Sequence, residues 1–164
     1  MKIIIVEDEK SIRSGLARML PKLDPEYEVA GAAKDGQEGY QLISGENPDL
    51  VIMDIEMPEM DGLTMLEKLR ENGFQGKAIV LTAYSDFSYA KRAIELGIEN
   101  YLLKPIKIEE LKKTLQGVSA SLKQAAGTRK IQEKLLSLEQ LFRSALLADL
   151  DADEVTIGRK YYRS

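Results

Sequence analysis

Neither cysteine nor histidine occurs in this chain of 164 residues. The first absence rules out a disulfide framework and thiol chemistry. The second removes the usual general base, the usual nitrogen ligand for a metal and any phosphohistidine. Long apolar runs are missing too. The N-terminal run is broken by Glu7, which leaves it too short for a signal peptide. No stretch is long enough to cross a bilayer, and a soluble cytoplasmic protein is expected. A strong charge excess is also lacking. With 23 basic and 27 acidic residues the net charge is −4, which gives no global footprint for nucleic acid. Apolar residues make up 44%, enough for a sizeable core in one ordinary domain with some chain to spare.

Four short apolar runs carry the chemistry. Ile3-Ile4-Ile5-Val6 ends in Glu7-Asp8, and Leu50-Val51-Ile52-Met53 ends in Asp54. Ala78-Ile79-Val80-Leu81 ends in Thr82-Ala83, and Tyr101-Leu102-Leu103 ends in Lys104-Pro105. Runs of this length read as fully buried parallel strands. In an open parallel sheet, ligands bind beyond the carboxyl ends of the strands. Three carboxylates, a hydroxyl and an ammonium therefore converge on one edge. Crowded carboxylates repel unless a hard cation lies between them, and oxygen ligands with a few waters suit Mg²⁺. A carboxylate is left to react, and the lysine and hydroxyl suit phosphoryl oxygens.

Strand and helix patterns alternate five times. The strands are Lys2–Val6, Tyr27–Ala33, Asp49–Met53, Lys77–Thr82 and Asn100–Leu103. The first helix, Lys10–Leu20, carries Ile12, Leu16, Met19 and Leu20 on one face and is closed by Pro21 and Pro25. The next are Gly36–Ser44, stopped by Pro48, and Leu63–Arg70, with Gly73 just past its end. Phe87–Leu96 follows, capped by Asp86 and ended by Gly97. A fifth helix begins at Ile108. Alternating βα units imply an α/β fold, a doubly wound parallel sheet of five strands with helices on both faces.

Glu7-Asp8, Asp54, Thr82-Ala83 and Lys104-Pro105, with Met57-Pro58-Glu59-Met60-Asp61-Gly62 between them, resemble the receiver domain of two-component response regulators. The likeness covers residues 1 to about 120, within a receiver domain expected over 1–122, and its elements agree in type, order and spacing. It implies the flavodoxin-like strand order 2-1-3-4-5. It also implies a phosphoryl group taken by Asp54 from a sensor histidine kinase, which reshapes the face made by helix four, strand five and helix five. Mg²⁺ would be held by Glu7, Asp8, Asp54 and the backbone carbonyl of Glu56. Lys104 would pair with a phosphoryl oxygen, aimed inward by a cis bond to Pro105. Thr82 would swing to the phosphate, Ala83 would leave it space, and Tyr101 would turn inward as the switch aromatic. Glu56 and Tyr84 would shield the acyl phosphate from water.

Each of these residues also has a plainer reading. Glu7-Asp8 resembles a solvated helix N-terminus. Lys104 could be a surface lysine, Thr82 a β-branched strand end, Tyr101 a core aromatic, and the Met57–Gly62 stretch a turn entering a helix. Two other functions suit the fold. Aspartate-nucleophile phosphatases also join a strand-end aspartate to Mg²⁺ and lysine, but they need a second aspartate where Glu56 stands. A flavin carrier would need a Gly/Ser/Thr-rich phosphate loop after strand one. A switch that is not a turnover enzyme is therefore expected.

The rest of the chain reads as a C-terminal helical extension. Leu111, Leu115, Val118 and Leu122 keep a 4-3-4 spacing, as do Ile131, Leu135, Leu138 and Phe142. Ala125-Ala126-Gly127-Thr128 shifts the seam between them. A weak point is expected near Gly127, then a second amphipathic helix within a 123–150 segment that serves as linker or homodimerisation device. Residues 151–164 are expected to form a flexible tail. The stretches 83–90 and 97–105 resemble regulators with an AraC-type DNA-binding effector. Nothing in 128–164 reads as a helix-turn-helix, so contact with DNA would need an effector domain outside this sequence.

Overall fold

A computed structural model describes residues 1–83 and 87–161, and side chains as far as residue 148 except that of Phe87. The chain divides into two compact units, one spanning Met1–Ser119 and a second that begins at Ala120.

The first unit alternates strand and helix. The strands are β1 (Lys2–Val6), β2 (Glu28–Ala33), β3 (Leu50–Met53), β4 (Lys77–Thr82) and β5 (Asn100–Leu103). Between them lie α1 (Lys10–Leu23), α2 (Gly36–Glu46), α3 (Gly62–Glu71) and α4 (Phe87–Glu95). All pairings are parallel and the sheet order is β2-β1-β3-β4-β5, as expected. Val6 pairs with Met53, Met53 with Val80, and Thr82 with Leu103. The four expected strand ends therefore lie along one edge, with β4 and β5 each reaching two residues further than β1 and β3.

Burial explains why the central strands read as unbroken apolar runs. Ile3, Ile4, Ile5 and Val6 are all fully buried, and so are Leu50, Val51, Ala78, Ile79 and Val80. Both faces of β1, β3 and β4 are covered, so neither face calls for polar residues. Burying each such side chain contributes about 1.5–3 kcal/mol.

Several boundaries differ from the sequence reading, each for a local reason. Pro21 does not close the first helix, which continues to Leu23 with Pro21 inside it. The ring costs the hydrogen bond to the carbonyl four residues back, but buried Leu16 and Leu20 hold the turn in place. Asp24, just before Pro25, is extended and ends the helix. The helix expected to stop at Ser44 reaches Glu46. Asn47 then takes a left-handed conformation, φ 45°, and its N–H caps the Ile43 carbonyl. Asp86, the expected cap of α4, lies outside the described residues.

The largest correction lies at the C-terminal end. α5 runs from Ile108 to Tyr161 as one helix of 54 residues. The weak point near Gly127 is not there, and the segment expected as a flexible tail carries helix to Tyr161. A glycine within a helix costs only about 1 kcal/mol relative to alanine. Gly127 follows two alanines and no proline follows it, so nothing there forces the backbone out of the helix. Gly127→Ala should therefore raise helix stability by about 1 kcal/mol, read as higher ellipticity at 222 nm on warming. A loss of ellipticity would mean that the helix does not pass through this residue.

Candidate functional site

Backbone hydrogen bonds carry the sheet pattern one residue past the strand ends, and the site residues hang from these bonds. The Glu7 N–H donates to the Ala33 carbonyl at 3.0 Å, and the Asp54 N–H to the Val6 carbonyl at 3.0 Å. The Lys104 N–H donates to the Thr82 carbonyl at 2.8 Å. Glu7, Asp54, Thr82 and Lys104 are thus fixed by rigid neighbours rather than by loose loops.

The side chains of Lys104, Glu7 and Asp54 meet. The Lys104 ammonium donates to Glu7 Oε2 and to Asp54 Oδ2, at 2.8 Å each. The peptide bond between Lys104 and Pro105 is cis. Glu7, Asp8 and Asp54 each bring a carboxylate oxygen within 4.8 Å of the others. Glu7 and Asp54 are buried, at 2% and 7% exposure, while Asp8 opens to solvent. Thr82 is fully buried at the end of β4, and Ala83 beside it is exposed.

One atom decides what the cluster can hold. Among the described residues, Asp54 Oδ1 is buried and accepts no hydrogen bond. A buried carboxylate oxygen left alone costs about 1–3 kcal/mol or more, so a partner is called for. Three carboxylates against one ammonium leave two negative charges uncompensated. An all-oxygen set with one member open to water fits Mg²⁺. The chain thus has residues suited to hold this ion through Glu7, Asp8 and Asp54.

The electrostatics agree. Burial pushes the Glu7 carboxyl above its ordinary range, against the opposing pull of its hydrogen bonds from Lys104 and the Glu9 N–H. Burial alone would lower Lys104. The hydrogen bonds to Asp54 and Glu7 outweigh it, so its pKa is raised and the ammonium stays charged.

Two elements flank the site. The Met57–Gly62 stretch is indeed a turn into a helix, since Asp61 Oδ1 caps α3 by accepting from the Thr64 N–H at 2.6 Å. It also does more. A Cβ at Gly62 would lie 2.0 Å from the Asp54 carbonyl oxygen, and the Gly62 N–H donates to the Ile55 carbonyl at 2.8 Å. Only glycine lets α3 start this close to Asp54. On the other side, the half-buried Glu56 accepts from the Tyr89 hydroxyl of α4 at 3.2 Å. Tyr101 is half-buried against the core beneath α4 and α3. Tyr84, the second expected shield, lies outside the described residues.

Sequence reasoning missed Arg13. Its guanidinium donates to the Glu7 carbonyl at 2.8 Å and to the Asp8 carbonyl at 3.3 Å, tying the acidic loop to α1. The signal was faint: a basic residue one turn into a helix that starts on acidic residues. The link between Tyr89 and Glu56 was equally hidden, because the two are joined by no sequence periodicity.

The family model of the response regulator receiver domain matches residues 3–116. The chain belongs to this family. It is 34% identical over 114 residues to DctR, a probable C4-dicarboxylate response regulator of Priestia megaterium, covering 70% of this chain and 50% of that one. It is 36% identical over 152 residues to the transcriptional regulatory protein PdtaR of Mycobacterium tuberculosis, covering 85% and 73%. The receiver domain of AraT, a response regulator from Geobacillus stearothermophilus, superposes with a TM-score of 0.69 at 35% identity, covering 76% of this chain and 97% of that one. The match to DctR spans about half of that relative's length, and the match to the transcriptional regulatory protein YesN of Bacillus subtilis spans 33% of its length.

Asp8 supplies the one solvent-facing carboxylate of the receiver site. Asp8→Ala should weaken Mg²⁺ binding at least tenfold, on the order of what altered metal-site shells cost, as measured by calorimetric titration. An unchanged affinity would remove Asp8 from the ligand set.

Proposed function

We propose that this receiver domain is a phosphorylation switch whose acceptor is Asp54. The observation that carries the reading is the buried, unpartnered Asp54 Oδ1 beside Lys104, Glu7 and Asp8. The Asp54 carboxylate attacks the phosphorus of a donor. An acyl phosphate bond forms as the donor's bond to phosphorus breaks. Phosphoryl transfer depends on positioning and charge neutralisation more than on covalent help. Lys104 already lies against Asp54 and is placed to take a phosphoryl oxygen. Mg²⁺, held by Glu7, Asp8, Asp54 and the Glu56 carbonyl, would supply further positive charge to those oxygens. The exposed Ala83 leaves room for the group, and the Thr82 hydroxyl bonds to it.

The switch then runs from Thr82 to Tyr101. Drawing the hydroxyl towards the phosphoryl group vacates space into which the half-buried ring turns, and the α4–β5–α5 face changes. Two states with a modest gap suffice. A sensor histidine kinase is the donor. An apolar cavity of about 380 Å³, lined by Ile12, Leu16, Met19, Pro105 and Ile106, opens beside Lys104 and supports docking of such a partner next to the acceptor. The domain signals and does not turn over substrate. The absence of a helix long and apolar enough to span a membrane, among the described residues, is compatible with cytoplasmic work.

The output we infer is transcription, through a DNA-binding effector of AraC type outside these 164 residues. Relatives named as transcriptional regulatory proteins support this output. Homodimerisation through the apolar stripe of the 123–150 segment would present two copies to two DNA half-sites.

Incubation with acetyl phosphate and Mg²⁺ should add one phosphoryl group, seen by intact-mass spectrometry and absent in Asp54→Asn. Labelling that survives Asp54→Asn would overturn the assignment. In Thr82→Ala the label should still form, but the amide shifts of α4 and β5 that accompany it should shrink to less than about half of the wild-type change. Full shifts in that variant would separate Thr82 from the switch.

A further inference from the structure

The second unit exposes an apolar face with a definite pattern on its flanks. Ile131, Leu135, Leu138 and Phe142 are 65%, 57%, 51% and 73% exposed on the helix α5. Their 4-3-4 spacing is that of the d and a positions of a heptad, so they form one seam. At about 100° per residue, Lys134 and Leu141 fall on one flank of that seam. Glu139 and Leu146 fall on the other. Leu141 and Leu146 are themselves 66% and 54% exposed.

We propose that this face pairs with a second copy of the chain as a parallel, in-register coil. Lys134 lies against the partner's Glu139, and Leu141 against the partner's Leu146. The inference rests on the dimer reading above and adds its orientation and register. In a parallel pair, the two-fold axis runs along the helices, and the left flank of one meets the right flank of the other. The contact falls between a residue and the one five positions later on the partner. Lys134 then finds a carboxylate and Leu141 finds an apolar side chain, and symmetry repeats both contacts. Within one helix Lys134 and Glu139 lie five apart, outside the three- and four-residue spacings at which side chains meet. They can meet each other only across a pair of helices, while Glu139 also has Arg143 four residues on along its own helix.

The alternatives fail on the same residues. An antiparallel pair brings like flanks together, so the Lys134 flank meets itself and no opposite charges oppose each other. A parallel pair slipped by one heptad sets Lys134 against the partner's Leu146 and strands a charge beside an apolar side chain. Charge at the flanks thus selects one orientation and one register, which is how flanking positions choose partners in coils.

The test is sedimentation equilibrium of the full chain in low salt. The samples are wild type, Lys134→Glu, Glu139→Lys, the double variant, and an equimolar mixture of the two single variants. The wild type should dimerise. Each single variant replaces two opposite-charge contacts with two like-charge ones and should dissociate about fivefold more readily. The double variant and the mixture both restore opposite charges across the seam and should associate about as tightly as wild type. Native mass spectrometry of the mixture should show the mixed dimer in excess. A monomeric wild type would overturn the dimer reading and the coil together. A dimeric wild type whose single variants are undiminished, or whose mixture associates no better than they do, would overturn the parallel register and leave the dimer standing.

Discussion

The Lys104 ammonium is the contact on which the rest of the site depends. It reaches from the end of β5 past β4 to touch Asp54 after β3 and Glu7 after β1. Two carboxylates buried side by side repel strongly in a medium of low dielectric. Their burial is tolerable only because one cation is shared between them. The same arrangement leaves part of the charge unmatched. A lysine held by two carboxylates neutralises only part of their charge, which leaves room for a divalent ion. A flexible ammonium, unlike a planar guanidinium, keeps three donors that can be redirected one at a time. The fold serves this contact directly, since the buried strands β1 and β3 and the partly exposed β5 set the spacing of the groups that meet there.

Stiffness is distributed unevenly around that centre. On the β1 side, Arg13 ties the acidic loop to α1 through two backbone carbonyls. On the α3 side, the helix begins against the Asp54 backbone itself. α4 is held differently. Arg92 reaches Glu67 at 3.3 Å, Thr64 at 3.4 Å and Asp61 at 3.7 Å, all on or next to α3. Exposed pairs of this kind contribute about 0–1 kcal/mol each. Ile94 of α4 is 79% exposed and adds no packing. Ala93 is buried and Tyr89 packs on the core, so α4 is held by a short apolar stripe together with these weak polar contacts, and the proposed switch needs an element that can shift.

Much of this was legible in the sequence because the strongest signals are compositional. A strand covered on both faces must be apolar throughout, so a charged residue at its end stands out. The alternation of strands and helices and the meeting of Glu7, Asp8, Asp54 and Lys104 followed from that contrast, while the strand order came from the family resemblance. What escaped depended on tertiary context. Pro21 sits inside a helix because buried neighbours outweigh one lost hydrogen bond. Gly127 leaves α5 unbroken because a single glycine is a weak breaker. Arg13 and Tyr89 act on the site through a backbone carbonyl and a long side-chain bond, and neither leaves a periodic trace. The heptad seam was legible as spacing, but its flanks gain meaning only once the helix is known to be continuous.

The close start of α3 has a consequence for how such a site can diversify. With its Cβ excluded by the Asp54 carbonyl oxygen, position 62 itself can carry no side chain. The wall at β1 is filled by the acidic pair and its arginine tether. On the proposed switch, variation in lifetime or partner preference would enter through the open margins, at Glu56 and Ala83 on one side and at the cavity beside Lys104 on the other. One glycine thus keeps position 62 bare beside Asp54 and leaves adjustment of the site to its other margins.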